Sequence, residues 1–418
     1  MTSAPFQGTR EAALEWPDGV LDVPALRASG QQPLPFREFV VKVHSRCNLA
    51  CRYCYVYEAQ DQAWRTQPVT MSAGTAERTC RRIAEHAATH ALPALRVILH
   101  GGEPLLAGPE FLRRFVRRLR ELLPQSTHCD VMIQTNGTRV DADCLRLCHE
   151  ERVQLGVSLD GARDVHDRFR RDAAGHGSHA RVATALRLLG RPENRAVWGG
   201  ILCTVDVTAD PVATYEHLLT YRPPAIRLLL PLGNWTHRPP GRGPDETNVP
   251  YAEWLIAVFD RWYGATPGPP VRISLFESLL DLLLGGPTRT ETIGGAPSQL
   301  AVVDTDGTLT LSDQLKTAYD RADRSGYDVE NDTFDALLDH PGVVARQLGT
   351  DGLCGRCREC PVVPVCGGGH YPHRYRAGTG YLDRSVYCPD LMALISHVAG
   401  VVGDDLRRAR ECHAKARP

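Results

Sequence analysis

The sequence has no apolar run that approaches the roughly 20 residues needed to cross a bilayer. Its first residues, MTSAPFQGTREAALEW, lack a basic cluster followed by an apolar core, so we expect no secretory signal. Neither sign of charge dominates, because 48 Lys and Arg residues offset 49 Asp and Glu residues and leave a formal net charge of −1. That balance argues against a general nucleic-acid or anionic-membrane binder. We therefore expect a cytoplasmic protein without nucleic-acid or membrane partners.

Cysteine, by contrast, is plentiful, with 14 residues in a chain of 418. Because they cluster and no export signal is expected, metal ligation in a reducing compartment is favoured over disulfides. Eight of them fall in two groups, described below. The other six lie in periodic segments and are predicted to be buried as small apolar side chains: Cys80, Cys129, Cys144, Cys148, Cys203 and Cys412.

The length favours two or three domains, and the first is an alternation of strands and helices. Residues 1–35 are predicted to form an irregular arm, and residues 36–232 to form an α/β domain with a parallel sheet, open or curled into a partial barrel. In such barrels the chemistry collects at the C-terminal ends of the strands. The predicted strands are Glu38–Val43, Leu95–Leu99, Asp130–Gln134, Gln154–Ser158, Gly200–Val205 and Ile226–Leu230.

The composition changes after residue 286. Residues 233–285 are predicted to be a Pro- and Gly-rich loop with bridging helices, and residues 300–311 a hairpin that turns at Asp306-Gly307. We expect a second domain over residues 286–398, which contains the second cysteine group. Residues 399–418 are predicted to be a C-terminal helix or tail.

The first cysteine group is Cys47, Cys51 and Cys54, spaced C-x3-C-x2-C directly after the first predicted strand. A [4Fe–4S] cluster held by three thiolates leaves one iron without a protein ligand, and such an iron can bind a small molecule. The alternatives are a zinc site that lacks its fourth ligand, or three buried thiols. Zinc sites more usually show two close cysteine pairs, and packing alone does not explain three cysteines within eight residues of a polar loop.

With its aromatic Tyr53 before the last cysteine, this loop resembles that of the radical S-adenosylmethionine superfamily. The resemblance implies a partial (β/α)6 TIM-like barrel. It also implies that Cys47, Cys51 and Cys54 hold a [4Fe–4S] cluster whose fourth iron binds S-adenosylmethionine.

Polar motifs follow the next three predicted strands. His100-Gly101-Gly102-Glu103-Pro104 resembles the superfamily motif that binds the amino group of S-adenosylmethionine, which implies that Gly101, Gly102 and Glu103 line the cofactor. The motifs after the third and fourth strands are also ordinary turn signals. Their resemblance to the superfamily implies further cofactor contacts at Thr135, Asn136, Ser158 and Asp160.

The segment HDRFRRD over residues 166–172 is a charge run that, by itself, is typical of a solvated surface. It also resembles a segment of the peptide-modifying members of the superfamily. There an arginine, matched here by Arg170, pairs with the cofactor carboxylate, which suits the planar guanidinium group.

The second cysteine group is Cys354-x2-Cys357-x2-Cys360-x5-Cys366, with Cys388 further on. Four cysteines could also close a zinc ribbon. The spacing resembles the auxiliary-cluster extension called the SPASM domain, which normally holds two [4Fe–4S] clusters. The resemblance implies that one auxiliary cluster is bound here by Cys357, Cys360, Cys366 and Cys388.

The inner auxiliary cluster of that extension is predicted to be absent. Its expected cysteines are replaced by His370 and Ser312, and residues 291–298 contain no cysteine. We therefore predict a single auxiliary cluster, with Cys354 as a free thiol or an alternative ligand. The resemblance also implies that Asp313, which follows Ser312, is a base near the substrate, although it could simply end the hairpin.

Residues 36 to 398 resemble the FxsB-type maturases of ribosomally made peptides. This implies an enzyme that forms a 5′-deoxyadenosyl radical, removes a β-carbon hydrogen from a precursor peptide, and joins that carbon to an aromatic ring as a cyclophane. A reductant such as ferredoxin or flavodoxin would be its partner. The alternatives are thioether formation, epimerisation, Ser or Cys oxidation, a non-catalytic iron–sulfur or zinc protein, or an electron-transfer protein.

Overall fold

Ten strands form one sheet in the computed structural model, which describes residues 15–287 and 290–415. The sheet order is β10-β9-β8-β1-β2-β3-β4-β5-β6-β7. The pairs from β8 through β1 to β7 are parallel, whereas β8, β9 and β10 pair antiparallel. In chain order the strands are β1 Glu38–His44, β2 Ala94–Gly101, β3 His128–Thr135, β4 Val153–Ser158, β5 Trp198–Thr204, β6 Ala225–Leu229, β7 Arg272–Ile273, β8 Leu300–Val303, β9 Thr308–Thr310 and β10 Arg324–Asp328.

Helices connect the parallel strands and cover the sheet. In chain order the α-helices of the described residues are α1 Val23–Ala28, α2 Ala73–Thr89, α3 Pro109–Leu122, α4 Ala142–Glu150, α5 Arg163–Phe169, α6 His179–Leu189, α7 Pro211–Leu219, α8 Pro250–Tyr263, α9 Ser274–Leu283, α10 Phe334–Leu337, α11 Pro341–Val344, α12 Gly355–Arg358, α13 Val363–Cys366 and α14 Cys388–Lys415. None of the described helices is both long and apolar enough to cross a membrane.

Local sequence explains where these helices begin and which face they bury. The side chains of Ser72, Asp141 and Asp210 each accept a hydrogen bond from the backbone N–H three residues ahead, and so cap α2, α4 and α7. Helix α3 buries Leu112, Phe115, Val116 and Leu119, whose spacing places them on one helix face. The predicted α/β fold with a parallel sheet is confirmed.

Strand β1 lies in the middle of the sheet, between β2 and β8. Phe39, Val41 and Val43 are completely buried on one face. Val40, Lys42 and His44 alternate with them and point to the other face. The predicted hairpin at 300–311 thus extends the barrel sheet itself, because β8 pairs in parallel with β1.

Two regions differ from the sequence-based expectation. The predicted irregular arm contains helix α1, and Trp16 forms a β-bridge to Gly380. The helix expected from residue 399 begins at Cys388. The predicted boundaries between domains stay a prediction.

Candidate active site

The three-cysteine loop leaves the C-terminal end of β1 and is fastened to the segment after α5. Ala50 N donates to the Arg171 carbonyl oxygen at 2.7 Å, and Arg52 N donates to the Phe169 carbonyl oxygen at 3.1 Å. Within the loop, Cys54 N donates to the Cys51 carbonyl oxygen at 3.0 Å. The backbone of the loop is therefore fixed by main-chain bonds that do not involve its thiols.

The three thiols are partly buried and lie among polar groups. Cys47 Sγ accepts hydrogen bonds from Leu49 N at 3.4 Å and Asn136 Nδ2 at 3.5 Å. Burial raises the pKa of the Cys47 thiol to about 12. Burial also raises the pKa of Cys51 to about 11, although the Arg170 guanidinium opposes that rise. Amide and guanidinium donors thus surround sulfur atoms that would carry negative charge as metal ligands.

The three thiols of the loop do not all lie within 4.8 Å of one another, so they are spaced more widely than the ligands of a single zinc ion. Sulfur ligands of one zinc ion stand about 3.8 Å apart, because each Zn–S bond is about 2.3 Å in tetrahedral geometry. Among the residues that the structure describes, the one set of three ligand atoms all within 4.8 Å of one another is His86, His90 and Asp335. Neither cysteine group meets that limit, whereas a [4Fe–4S] cluster, in which each thiolate binds a different iron, accommodates wider spacing.

The hydrogen bonds of His86 argue against a metal ion at the trio of His86, His90 and Asp335. Phe36 N donates to His86 Nε2 at 3.0 Å, so the neutral ring carries its proton on Nδ1 and donates it to Asp335 Oδ1 at 2.7 Å. A metal on Nδ1 would require that proton to leave or the Phe36 bond to break. The trio instead joins α2 to α10.

Two glycines let the loop approach the end of β2. A Cβ atom on Gly101 would lie 2.0 Å from the His44 carbonyl oxygen. A Cβ atom on Gly102 would lie 1.9 Å from the Tyr57 hydroxyl oxygen and 2.4 Å from the Arg46 carbonyl oxygen. Gly102 N also donates to the His44 carbonyl oxygen at 2.8 Å. The close contact of the two strand ends therefore requires glycine at both positions.

We expect Gly102→Ala to lower the free energy of unfolding by about 2 kcal/mol or more, because the added methyl group overlaps backbone atoms of the cysteine loop. Gly243→Ala is the matched control, since its Cβ atom would meet nothing within 4 Å. Urea unfolding of both variants measures the difference. Equal stabilities would contradict this account of the loop.

Glu103 is completely buried, and its carboxylate accepts hydrogen bonds from other residues of the protein. Its oxygens accept hydrogen bonds from Thr135 Oγ1 at 2.7 Å, Asn136 N at 2.8 Å and Leu105 N at 3.1 Å. Burial raises the pKa of Glu103, and these donors oppose the rise. Glu103 and Thr135 thus hold the ends of β2 and β3 together, and their contact with a cofactor stays a prediction.

Asn136 and Ser158 lie at neighbouring strand ends. Asn136 Nδ2 donates to Asn48 Oδ1 at 2.9 Å as well as to Cys47 Sγ, so it connects β3 to the cysteine loop. Ser158 Oγ, at the end of β4, accepts a hydrogen bond from Gln134 Nε2 at 3.3 Å. The structure therefore places both predicted contacts at the same edge of the sheet as the thiols.

Asp160 and Arg170 form a buried ion pair, with Arg170 Nε 2.7 Å from Asp160 Oδ2. Tyr53 donates its hydroxyl proton to the same carboxylate oxygen, and Thr204 N donates to Asp160 Oδ1 at 3.0 Å. The Arg170 guanidinium lies over the Tyr53 ring, 5.3 Å from its centroid. Arg170 thus contacts Asp160 and the tyrosine of the cysteine loop, and its pairing with a cofactor carboxylate stays a prediction.

Sequence reasoning missed a group of charged side chains around Asp313. Tyr55 donates its hydroxyl proton to Asp313 Oδ2 at 2.9 Å. Lys42 Nζ lies 3.9 Å from the same oxygen and 3.5 Å from Asp304 Oδ2. Burial lowers the pKa of Lys42, but Asp304 and Asp313 outweigh burial and raise it above its ordinary value. The available signal was a lysine inside an apolar strand that was expected to be buried on both faces.

In the second cysteine group, four thiols influence one another. Burial raises the pKa of Cys366 to about 11, with further contributions from Cys388 and Cys360. Burial raises the pKa of Cys357 to about 12, and Cys354 and Cys388 add to the rise. Burial raises the pKa of Cys388 as well, and Cys360 adds to the rise. The predicted ligands Cys357, Cys360, Cys366 and Cys388 are therefore neighbours, and Cys354 lies beside Cys357.

The inner auxiliary cluster was predicted to be absent, and the residues of that region include an ion pair between Arg346 and Glu291. Arg346 donates two hydrogen bonds to the Glu291 carboxylate, at 2.8 and 2.6 Å, and a third to the Leu311 carbonyl oxygen at 2.7 Å. His370 lies close to this pair, and burial lowers its pKa to about 4. The Ser312 hydroxyl is buried without a hydrogen-bond partner in the described residues. Polar side chains thus occupy this region.

Comparisons with known proteins agree with the fold and with the cysteine loop. Residues 41–218 match the sequence model of the Radical SAM superfamily. A cysteine-type anaerobic sulfatase-maturating enzyme of Clostridium novyi (strain NT) is 26% identical over 339 residues, which cover 78% of this chain and 85% of that one. A serine-type anaerobic sulfatase-maturating enzyme of Klebsiella aerogenes is 24% identical over 369 residues, which cover 87% of this chain and 86% of that one.

Solved structures share the fold. Native anSMEcpe with bound AdoMet superimposes with a TM-score of 0.74 at 22% identity, over 88% of this chain and 98% of that chain. Streptococcus suis SuiB bound to precursor peptide SuiA superimposes with a TM-score of 0.58 at 13% identity, over 87% of this chain and 78% of that chain. Residues 41–218 of this chain are thus similar to the Radical SAM superfamily, which uses S-adenosylmethionine and a [4Fe–4S] cluster as cofactors.

Proposed function

We propose that this protein is a radical S-adenosylmethionine enzyme that modifies a ribosomally made precursor peptide. The observation that carries the proposal is the hydrogen bond between Tyr55, next to Cys54 of the cysteine loop, and the Asp313 carboxylate. It places an acidic group beside the loop that would hold the cluster. The sulfatase-maturating relatives and the solved structures with bound peptides support a peptide substrate.

The described residues fit both cofactors. Cys47, Cys51 and Cys54 would hold the cluster, and the strand-end residues around them would meet S-adenosylmethionine. When bound, these groups supply a 5′-deoxyadenosyl radical that takes a hydrogen atom, and an auxiliary cluster on Cys357, Cys360, Cys366 and Cys388 supplies a one-electron acceptor. A low-potential protein such as ferredoxin or flavodoxin would reduce the cluster held by Cys47, Cys51 and Cys54.

Asp313 is the base in this proposal. Its Oδ2 is occupied by Tyr55, and no hydrogen bond from a described residue reaches its Oδ1. Asp313 is largely buried, so a proton accepted at Oδ1 would come from a bound substrate in preference to bulk water.

The product we favour is a cyclophane, in which a peptide β-carbon is joined to an aromatic ring. The peptide would then lose one hydrogen atom to the radical that bound S-adenosylmethionine supplies, one proton to Asp313, and one electron to the auxiliary cluster that Cys357, Cys360, Cys366 and Cys388 would hold. The polar residues Glu291, Arg346 and Ser312 in the predicted inner-cluster region support a chain with a single auxiliary cluster, which favours this product over sulfatase-type oxidation.

The second candidate is oxidation of a cysteine or serine in the peptide. The sulfatase-maturating relatives, which cover most of this chain, favour it. The two candidates differ chemically, because serine or cysteine oxidation leaves an aldehyde and a cyclophane does not.

Mass spectrometry of a neighbouring precursor peptide, co-expressed with the protein, tests the proposal. We expect a loss of about 2 Da per crosslink, with no reaction toward hydroxylamine and with backbone fragmentation suppressed inside the ring. A peptide in which the aromatic residue is replaced by leucine is the control and should keep its mass. Hydroxylamine reactivity would establish the second candidate, and an unchanged mass with active, reduced enzyme would refute both.

A further inference from the structure

The described polar contacts of the Asp313 carboxylate all involve one of its two oxygens, Oδ2. Both described contacts of its carboxylate, from the Tyr55 hydroxyl and from Lys42 Nζ, are made with Oδ2. Only 6% of the Asp313 surface is exposed, so water cannot freely reorient the group. The carboxylate is thus presented with one oxygen anchored and the other available.

The position of Lys42 follows from strand pairing. Val41 of β1 lies opposite Val303 of β8, so the next residues, Lys42 and Asp304, are also neighbours. The chain then turns through β9 and reaches Asp313 in a short 3₁₀ turn, residues 313–317. Lys42 therefore lies between two carboxylates that come from one hairpin.

Lys42 has little freedom to make other contacts. Only 3% of its surface is exposed, and its raised pKa keeps it charged. Asp304 has its own hydrogen bond, since its Oδ1 accepts from Thr305 N at 2.7 Å. Asp304 is therefore fixed independently, whereas the described contacts of Asp313 are Tyr55 and Lys42.

We propose that Lys42 is a positioning residue that, together with Tyr55, holds Asp313 with Oδ1 facing the substrate. This rests on the proposed function. In the step it serves, the bond between the ring carbon and its hydrogen breaks, and the proton passes to Asp313 Oδ1. The remaining electron passes to an iron–sulfur cluster as the ring regains aromaticity. Lys42 touches neither substrate nor cofactor and acts only through the carboxylate.

The experiment compares Lys42→Met, Lys42→Arg and the control Asp306→Asn in the protein with reconstituted clusters. The main readout is the number of 5′-deoxyadenosine molecules formed per modified peptide. We expect Lys42→Met to raise this ratio by about tenfold or more while peptide KM stays unchanged, because a misplaced base uncouples cofactor cleavage from product formation. Lys42→Arg should restore the ratio to within about threefold of wild type, since it keeps the cation.

Asp306→Asn is the matched control. Asp306 is an exposed carboxylate of the same hairpin that accepts a hydrogen bond from Thr308 N at 2.9 Å, so the ratio should stay at the wild-type value. Iron content and melting temperature show whether each variant is folded and loaded. A crystal structure of Lys42→Met should show the Asp313 carboxylate rotated away from its wild-type position.

An unchanged ratio in folded, iron-loaded Lys42→Met would overturn the inference, as would equal uncoupling by Asp306→Asn. If Lys42→Met does not fold, Tyr55→Phe tests the other anchor, because it removes one hydroxyl, and it should raise the same ratio. If wild-type enzyme cleaves S-adenosylmethionine without modifying any peptide, the proposed function fails, and the role of Lys42 is not the cause.

Discussion

Replacing Cys51 with alanine is expected to abolish both reductive cleavage of S-adenosylmethionine and modification of the peptide. With only three thiols in the loop, one missing ligand leaves two irons without protein ligands and the cluster is not retained. The fold should persist, because the loop is fastened by backbone bonds from Ala50 and Arg52. Chromatography of 5′-deoxyadenosine after dithionite reduction measures the loss.

Cys412→Ala is the control for that variant, since Cys412 is exposed on α14, contrary to its predicted burial, and belongs to neither group. It should cleave the cofactor at the wild-type rate. Cleavage by Cys51→Ala above the background without enzyme would show that the loop is not the cluster site.

Cys360→Ala is expected to halve the iron content, from about 8 to about 4 atoms per chain, whereas Cys354→Ala should leave it near 8. The reason is the mutual proximity of Cys357, Cys360, Cys366 and Cys388, with Cys354 next to Cys357. Iron and acid-labile sulfide analysis, with Mössbauer spectra of the reconstituted protein, gives the counts.

This pair of variants also tests the ligand assignment. If Cys354→Ala loses about 4 irons and Cys360→Ala does not, Cys354 is the ligand and the predicted spacing is wrong. A content near 12 in the wild type would mean that a third cluster forms despite the Glu291–Arg346 pair.

The sequence was most informative where a local pattern decides the structure. The strands β1 to β6 were predicted within a few residues, because each is a short apolar run between turn signals, and Ser72 was recognised as the cap of α2. Strands β7 and β10 were not anticipated. Strand β7 has only two residues, and β10 is a polar segment paired to β9, so neither shows an apolar alternation.

Side-chain partners were harder to predict, because they depend on pairings between distant parts of the chain. Arg170 was predicted to pair with the cofactor carboxylate, which stays a prediction, and its contact with Asp160 was not foreseen because it depends on how the chain after α5 returns to the sheet. Glu103 was predicted to line the cofactor, which stays a prediction, and its hydrogen bond from Thr135 at the next strand end was not foreseen. Lys42 was overlooked entirely, since its partners come from a hairpin that follows β1 by most of the chain length.

The pairing of β1 with β8 also has a consequence for biosynthesis. Strand β1 is made early, yet one of its edges finds a partner only after the ribosome has completed residues 300–303. Until then the nascent barrel presents an open strand edge, which is prone to pair with other chains. The same long-range pairing brings Asp304 to Lys42. Because the edge of β1 stays open until β8 is made, we expect slow overexpression at low temperature to improve the yield of correctly assembled enzyme.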